Sequence, residues 1–247
     1  MQNADLFPQI APVGLTGLLV RFADRLTEPA NRAALAFRAA IEGESWPGVE
    51  ETSSSLTSTY VRFDPLHLPH DQLQSRLRDL LTAEDWYAAA APQGRRFWRI
   101  PAVFGTEAAP QLAEAAALAG LGEAEAIAML CAARTRVLTL GFAPGQPYLG
   151  ELPESWNIPR QTALTPRVPA GALVVAVRQL VLFANASPTG WRHIGQTGFQ
   201  CYCPEAEDPF PLRAGDEVQF HAVTPEEYRN ILGSGAGNGG ATVEPIA

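Results

Sequence analysis

Along the first third of the chain the apolar positions change period several times. Residues 15–22, LTGLLVRF, form an aliphatic and aromatic run suited to a strand, and residues 29–41, PANRAALAFRAAI, place Ala33, Phe37 and Ile41 four apart on one helical face. The pattern then repeats. Residues 55–65, SLTSTYVRFDP, alternate Leu56, Ser58 and Tyr60 against Thr57, Thr59 and Val61, and residues 69–82, PHDQLQSRLRDLLT, put Leu73, Leu77, Leu80 and Leu81 at helical spacing behind Pro69 and Asp71. Two strand–helix pairs predict a small α/β domain over residues 1–92, with a linker inside YAAAAPQGRR at 87–96.

The second part opens on a strand, RFWRIPAVFG at 96–105, followed by two helical stretches, APQLAEAAALAGL and GEAEAIAMLCAAR, joined at the Gly120-Leu121-Gly122 break. Helices then cease. From residue 135 onward the pattern is one of short strands cut by turn signals, RVLTLGF, GALVVAV, LVLFA, WRHIGQTG and EVQFHAV, with Gly215-Asp216 as the turn into the last. An antiparallel sandwich or barrel over residues 93–232 is the expectation. The glycine-rich end at 233–247, GSGAGNGGATVEPIA, predicts a disordered tail.

Composition narrows the chemistry. The 247 residues are 47% hydrophobic with a net charge of −8, and neither part is basic: residues 1–92 hold seven Arg against twelve acids, residues 93–247 eleven Arg against fourteen. A phosphate backbone needs a positive field, so nucleic acid is excluded as a partner. All eighteen cations are arginine. Without lysine there is no P-loop, Schiff base or lysine base. The three cysteines, Cys131, Cys201 and Cys203, and the four histidines, His67, His70, His193 and His221, show no metal spacing, so neither a disulfide framework nor a metal site is expected. No run of eighteen apolar residues occurs, and MQNADLFPQIAPVG lacks a basic segment leading into an apolar one, so the expected location is cytoplasmic, away from membranes.

One stretch stands apart. GFAPGQPYLGELPESWNIPR, residues 141–160, holds three glycines and four prolines yet also carries Phe142, Tyr148, Leu149 and Trp156. Such a segment has a stiff path, here expected to be neither helix nor strand, that presents aromatic surface. With PRVPAG at 166–171 and SPTGWRHIGQTG at 187–198 it supplies the candidate site: Pro144, Gly145, Tyr148, Gly150, Arg160, Arg167, Ser187, Trp191 and Arg192. The arginines are anion anchors by virtue of their bidentate fork. Tyr148 and Trp191 either line a pocket or interface or plug a barrel end. No nucleophile, base and orienting group assemble from the sequence, so the catalytic residues stay unassigned.

In order, LGFAPGQPYLGELP, VPAG, SPTGW, IGQT and LRAGDEVQF resemble the allophanate hydrolase subunit 1 family, also called carboxyltransferase subdomain C/D, which includes the B subunit of bacterial 5-oxoprolinase and an inhibitor of a sporulation histidine kinase. The likeness runs from about residue 96 to 223, with VGLTGLLVRFADR and YVRFDP extending it weakly into the first domain. It implies an α+β chain in which a small α/β domain precedes a cyclophilin-like antiparallel β-barrel with two helices. It also implies a subunit of an ATP-dependent amide-hydrolysing complex that opens 5-oxoproline to glutamate. The partners would be a homologous second subunit, of the allophanate hydrolase subunit 2 or 5-oxoprolinase C type, and a lactamase-like protein of the A type. ATP would be bound by the complex or a partner. A protein-interaction module inhibiting a histidine kinase, or an allophanate or urea-carboxylase-type subunit, are the alternatives. The stiff loop would wall a groove at the barrel mouth, shared with the partner. Departures from the family pattern are Gln146 for an aromatic, Leu164-Thr165 where a Pro-Arg pair stands, Thr189 for Gly, Gln196 for Arg and Cys131 for His.

Overall fold

The computed structural model describes residues 6–90 and 93–246. The expected boundary at Pro92 lies outside the described residues, as do residues 1–5. The chain divides into two compact units, Met1–Gln93 and Gly94–Ala247.

The first unit is a four-stranded antiparallel sheet in the order β1-β2-β4-β3, built from β1 (Gln9–Val13), β2 (Gly17–Arg21), β3 (Val49–Ser55) and β4 (Ser58–Phe63), with two helices, α1 (Glu28–Glu44) and α2 (His70–Thr82). The two expected strand–helix pairs are β2–α1 and β4–α2. The sequence pattern passes over β1 and β3, since an edge strand reading VEETSSS offers almost no apolar alternation. Helix α1 starts where Thr27 accepts from the Ala30 N–H and Pro29 occupies the first turn. Its apolar face buries Ala33, Phe37 and Ile41, and Phe37 meets Phe22 and Trp86 edge-on at 5.5 and 5.0 Å between centroids.

The second unit is a closed barrel of β5 (Arg96–Phe104), β6 (Thr135–Leu140), β7 (Pro147–Gly150), β9 (Ala172–Ala176), β10 (Gln179–Leu182), β12 (Arg192–Gln196) and β13 (Glu217–Ala222). Pairing of β12 with β5 closes it. Helices α3 (Leu112–Leu118) and α4 (Glu123–Ala132) fall between β5 and β6, and a two-stranded ribbon, β8 (Thr165–Val168) with β11 (Ser187–Thr189), lies apart from the barrel ladder. The fold is α+β. All barrel pairs are antiparallel except β5 with β13, which run parallel.

Two expectations need correction. The stretch 141–160 is not free of regular structure: Pro147–Gly150 is strand β7, paired with β6 and β10, and its glycine and proline content conceals a four-residue strand. The end of the chain is not a disordered tail. Helix α5 (Pro225–Gly233) is started by a reciprocal Thr224–Glu227 capping box, and β14 (Thr242–Pro245) pairs antiparallel with residues 96–99 of β5. Glycines at 233–240 make the reversal between them, and backbone pairing along β5 orders a strand whose side chains are all exposed. Pro101, which donates no hydrogen bond, falls between this pairing and the β12 pairing at 103–104. Among the described residues no single helix is long and apolar enough to cross a membrane.

Asp216, in the turn before β13, is 2% exposed. Its carboxylate accepts from the Arg96 backbone at 3.0 Å, from Arg96 Nη2 at 2.6 Å, from Trp98 Nε1 at 3.3 Å and from the Arg213 backbone at 2.9 Å. Its own carbonyl accepts from the Val137 N–H at 2.8 Å. Replacing Asp216 by Ala orphans the donors around it and leaves the half-buried Arg96 guanidinium without its carboxylate, and Asn removes the charge and one acceptor. The expected loss is about 3 to 5 kcal/mol of unfolding free energy in denaturant titration. A loss below about 1 kcal/mol, the size of an ordinary surface pair, contradicts this role.

Candidate functional site

Alternation along the barrel strands decides where the site lies. Leu149, Leu173, Val175, Leu180, Leu182, Ile194, Val218 and Phe220 share one core with Trp98, Ile100, Ala102 and Phe104, which only the barrel lumen can bring together. The intervening Ala172, Val174, Ala176 and Val181 form a second cluster with Val168, Phe183, Trp191 and the half-buried Tyr148. That cluster faces outward. Strands β9 and β10 are therefore apolar on both faces, which is why ALVVA and QLVL read as unbroken hydrophobic runs.

On this outer face lies a groove of about 290 Å³. Trp191, 7% exposed, is its centre: Tyr148 meets the indole edge-on at 6.2 Å, and the Arg160 guanidinium lies over it at 5.0 Å. Phe142 and Leu164 line it while remaining 76% and 64% exposed, and the Phe142 backbone has φ = +72°, a strained value for a bulky residue. Arg160 and Tyr148 are the titratable side chains of the lining, which contains no carboxylate, histidine or thiol. No carboxylate is paired with Arg160 among the described residues.

Uncharged amides hold this arrangement. Gln161 donates to the Trp191 carbonyl at 3.0 Å and to Thr165 Oγ1 at 3.2 Å, and its backbone donates to the Gly190 carbonyl at 2.7 Å. Its own side-chain oxygen accepts from Gln111 Nε2 at 2.8 Å, while Gln111 Oε1 accepts from the His193 N–H at 2.8 Å. The chain thus runs from the start of α3 through β12 to the groove. Sequence reasoning misses both glutamines, because an uncharged amide carries no motif until its partners are known.

The candidate residues separate accordingly. Tyr148, Arg160 and Trp191 come together in the groove; the other six do not line it. Arg192 is buried, with Nε on Glu114 at 2.8 Å and Nη1 on the Pro159 carbonyl at 2.5 Å, so it fixes the backbone next to Arg160 instead of presenting a free fork. Gly145 has φ = +70°, and a Cβ there would come within 2.0 Å of the Cys201 carbonyl oxygen. Gly150 is packed against Leu138, Pro144 is exposed, Arg167 is exposed on β8 and Ser187 pairs with Val168 in the ribbon. The groove is on the barrel flank, not at the mouth: Trp191 belongs to the outward cluster, whereas the lumen is filled by the other face.

Gln196 also leaves the groove. It is 8% exposed and donates to the Ala170 carbonyl at 2.8 Å and the Thr197 carbonyl at 3.1 Å, clasping the turn at 168–171. Among the described residues, its Oε1 and the buried His193 Nε2 make no hydrogen bond. Burial pushes the His193 imidazole below the ordinary histidine value, outweighing the contacts with Gln196 and Gly195 that raise it.

Residues 8–212 match the carboxyltransferase domain, subdomain C and D. The chain belongs to this family. Among its relatives, the B subunit of 5-oxoprolinase from Bacillus subtilis (strain 168) is 32% identical over 227 residues, covering 89% of this chain and 95% of that protein. The crystal structure of TTHA0988 superposes with a TM-score of 0.71 at 32% identity, covering 84% of this chain, which spans 40% of the TTHA0988 chain. The Kluyveromyces lactis urea carboxylase superposes with a TM-score of 0.73 at 18% identity over 96% of this chain and 24% of its own, a likeness of fold. For this carboxyltransferase-family member the flank groove is the place where the sequence candidates and the geometry coincide.

Two outcomes follow from this packing. Trp191→Ala removes a buried indole from the centre of the outer cluster and is expected to cost about 3 to 5 kcal/mol; an unchanged denaturation midpoint would contradict its burial. The second concerns pH. Because the folded pKa of His193 lies below the unfolded value of about 6.5, the unfolded chain takes up the proton first, so this residue's contribution to stability falls as pH drops below about 6.5. Relative to His193→Gln, the native protein should lose stability across that range. Parallel pH profiles for the two proteins would refute it.

Proposed function

We propose that this chain is a B-type component of an ATP-dependent assembly that hydrolyses a cyclic amide, of the kind that opens 5-oxoproline to glutamate. In this reading the flank groove receives a carboxylate, from a substrate or from an acidic side chain of a homologous partner, and does not itself perform the chemistry. The observation that carries the reading is the lining: a guanidinium held over an indole, a phenol beside it, and no nucleophile or base. A planar fork with its counter-face already packed is preorganised for a carboxylate. The naming of relatives as the B subunit of 5-oxoprolinase supports the substrate class.

The groove does not fit a nucleotide. It offers one cation and about 290 Å³, the chain has no lysine, and among the described residues no glycine-rich turn leads from a strand into a helix. A triphosphate needs more donors than this, so in this reading the nucleotide is bound outside the groove. Phe142 and Leu164, large apolar side chains left exposed on the groove rim, favour a protein surface as its other wall.

Purified chain is therefore expected to show no 5-oxoproline-dependent ATP hydrolysis, and to gain it when the homologous second subunit is added together with the lactamase-like protein. Hydrolysis by the isolated chain at the rate of the reconstituted assembly overturns the proposal. Within the assembly, Arg160→Ala should weaken the association of its subunits or raise the KM for 5-oxoproline by about tenfold, the worth of one charge-assisted hydrogen bond. Arg160→Lys should not restore it, since an ammonium lacks the fork. Full rescue by lysine, or no effect of alanine on either quantity, places the site elsewhere.

A further inference from the structure

A second cavity, of about 390 Å³, opens between α4 and the outer side of β13 and β5, away from the flank groove. Its helical wall is apolar: Ala124, Ile127 and Ala128 of α4 are small or branched, which leaves room between the helix and β13. Its polar members are Arg99, Gln219, His221 and the thiol of Cys131. Gln219 is committed by its amide nitrogen to the Cys131 carbonyl at 2.8 Å, fixing the end of α4 on β13. Burial pushes the Cys131 thiol up, so at neutral pH it is an uncharged wall that reacts as a nucleophile only slowly.

Arg99 is therefore the permanent charge of the lining, stacked on the Phe97 ring at 4.6 Å. The chain already places a carboxylate there: Glu244 of β14 approaches Arg99 Nη2 to 3.3 Å. That pair is weakly held, since both side chains are about half exposed and β14 buries none of its residues.

We propose that this cavity binds a small organic anion with a short aliphatic body, its carboxylate on Arg99 beside His221 and its chain along Ala124, Ile127 and Ala128 of α4, in competition with Glu244. The charge complement is set by Arg99, the apolar helical wall selects the body, and Glu244 is the internal carboxylate that an incoming ligand displaces. The inference does not rest on the function proposed for the flank groove, which shares no residue with this cavity.

Cys131 reports on occupancy. In a Cys203→Ser background, with Cys201 buried at 1% exposure, alkylation of Cys131 by iodoacetamide is followed by mass spectrometry with hexanoate, hexylamine or hexanol present. The His221 ring resonances give a second readout that is independent of thiol reactivity. Hexanoate is expected to slow alkylation severalfold and to shift His221, whereas hexylamine and hexanol do neither. The effect should vanish in Arg99→Ala, persist in part in Arg99→Lys, and strengthen in Glu244→Gln. No response to hexanoate in either readout, an equal response to hexylamine or hexanol, or an undiminished response in Arg99→Ala overturns the proposal. An affinity unchanged by Glu244→Gln overturns the competition.

Discussion

The carboxylate of Asp216 ties together the point at which the barrel is hardest to close. Strands β5 and β13 run parallel, and a parallel pair cannot be joined by a tight hairpin, so residues distant in sequence must be brought into register by something other than a turn. Asp216 does this from inside: one side chain engages the Arg96 backbone and guanidinium, the Trp98 indole and the Arg213 backbone, while its carbonyl holds β6. Arg96 in turn reaches the Pro211 carbonyl at 2.6 Å, which fastens the loop preceding the turn. A charge removed from water to this degree is stable only because each of its contacts is made.

Closure of the barrel has a consequence on its outside. Once the lumen is filled by one set of alternating residues, β9 and β10 still present Ala172, Val174, Ala176 and Val181 outward, and the ribbon of β8 and β11 with Trp191 covers them. The flank groove is the gap in that cover. Its shape depends on residues that never touch a ligand: Arg192 grips the Pro159 carbonyl, and Gln161 and Gln111 link the Trp191 backbone to β12 and α3. Arg160 is thereby carried on a backbone fixed on either side, which is how a long, entropic side chain becomes a defined anion donor.

Much of the fold is legible in the sequence because period and length survive packing. The helices α1 and α2 and the strands β2, β4, β5 and β9 follow apolar patterns that no tertiary contact overrides. The elements that escape such a reading lack pattern: β3 is polar, β7 is four residues inside a Gly/Pro-rich segment, and β14 is exposed along its length and is ordered by pairing alone. Helix α5 does carry a signal, Thr224-Pro225-Glu226-Glu227, whose capping-box spacing precedes Tyr228 and Ile231. In the site, aromatic and charged residues are found by type, so Tyr148, Arg160 and Trp191 emerge together. Arg192 is assigned by the same rule and is instead a buried tie, since sequence cannot distinguish a guanidinium facing a groove from one facing Glu114.

The division of labour suggested by the groove is that of a subunit that contributes recognition while reacting groups come from its partners. In this reading the other wall of the groove is a second protein chain. Hydrogen–deuterium exchange on the chain alone and in complex with the homologous second subunit tests this most directly. New protection is expected in 142–164 and 187–192, around Phe142, Arg160, Leu164 and Trp191. Protection confined to the N-terminal sheet or to the α4–β13 face, with the groove segments exchanging as before, contradicts it.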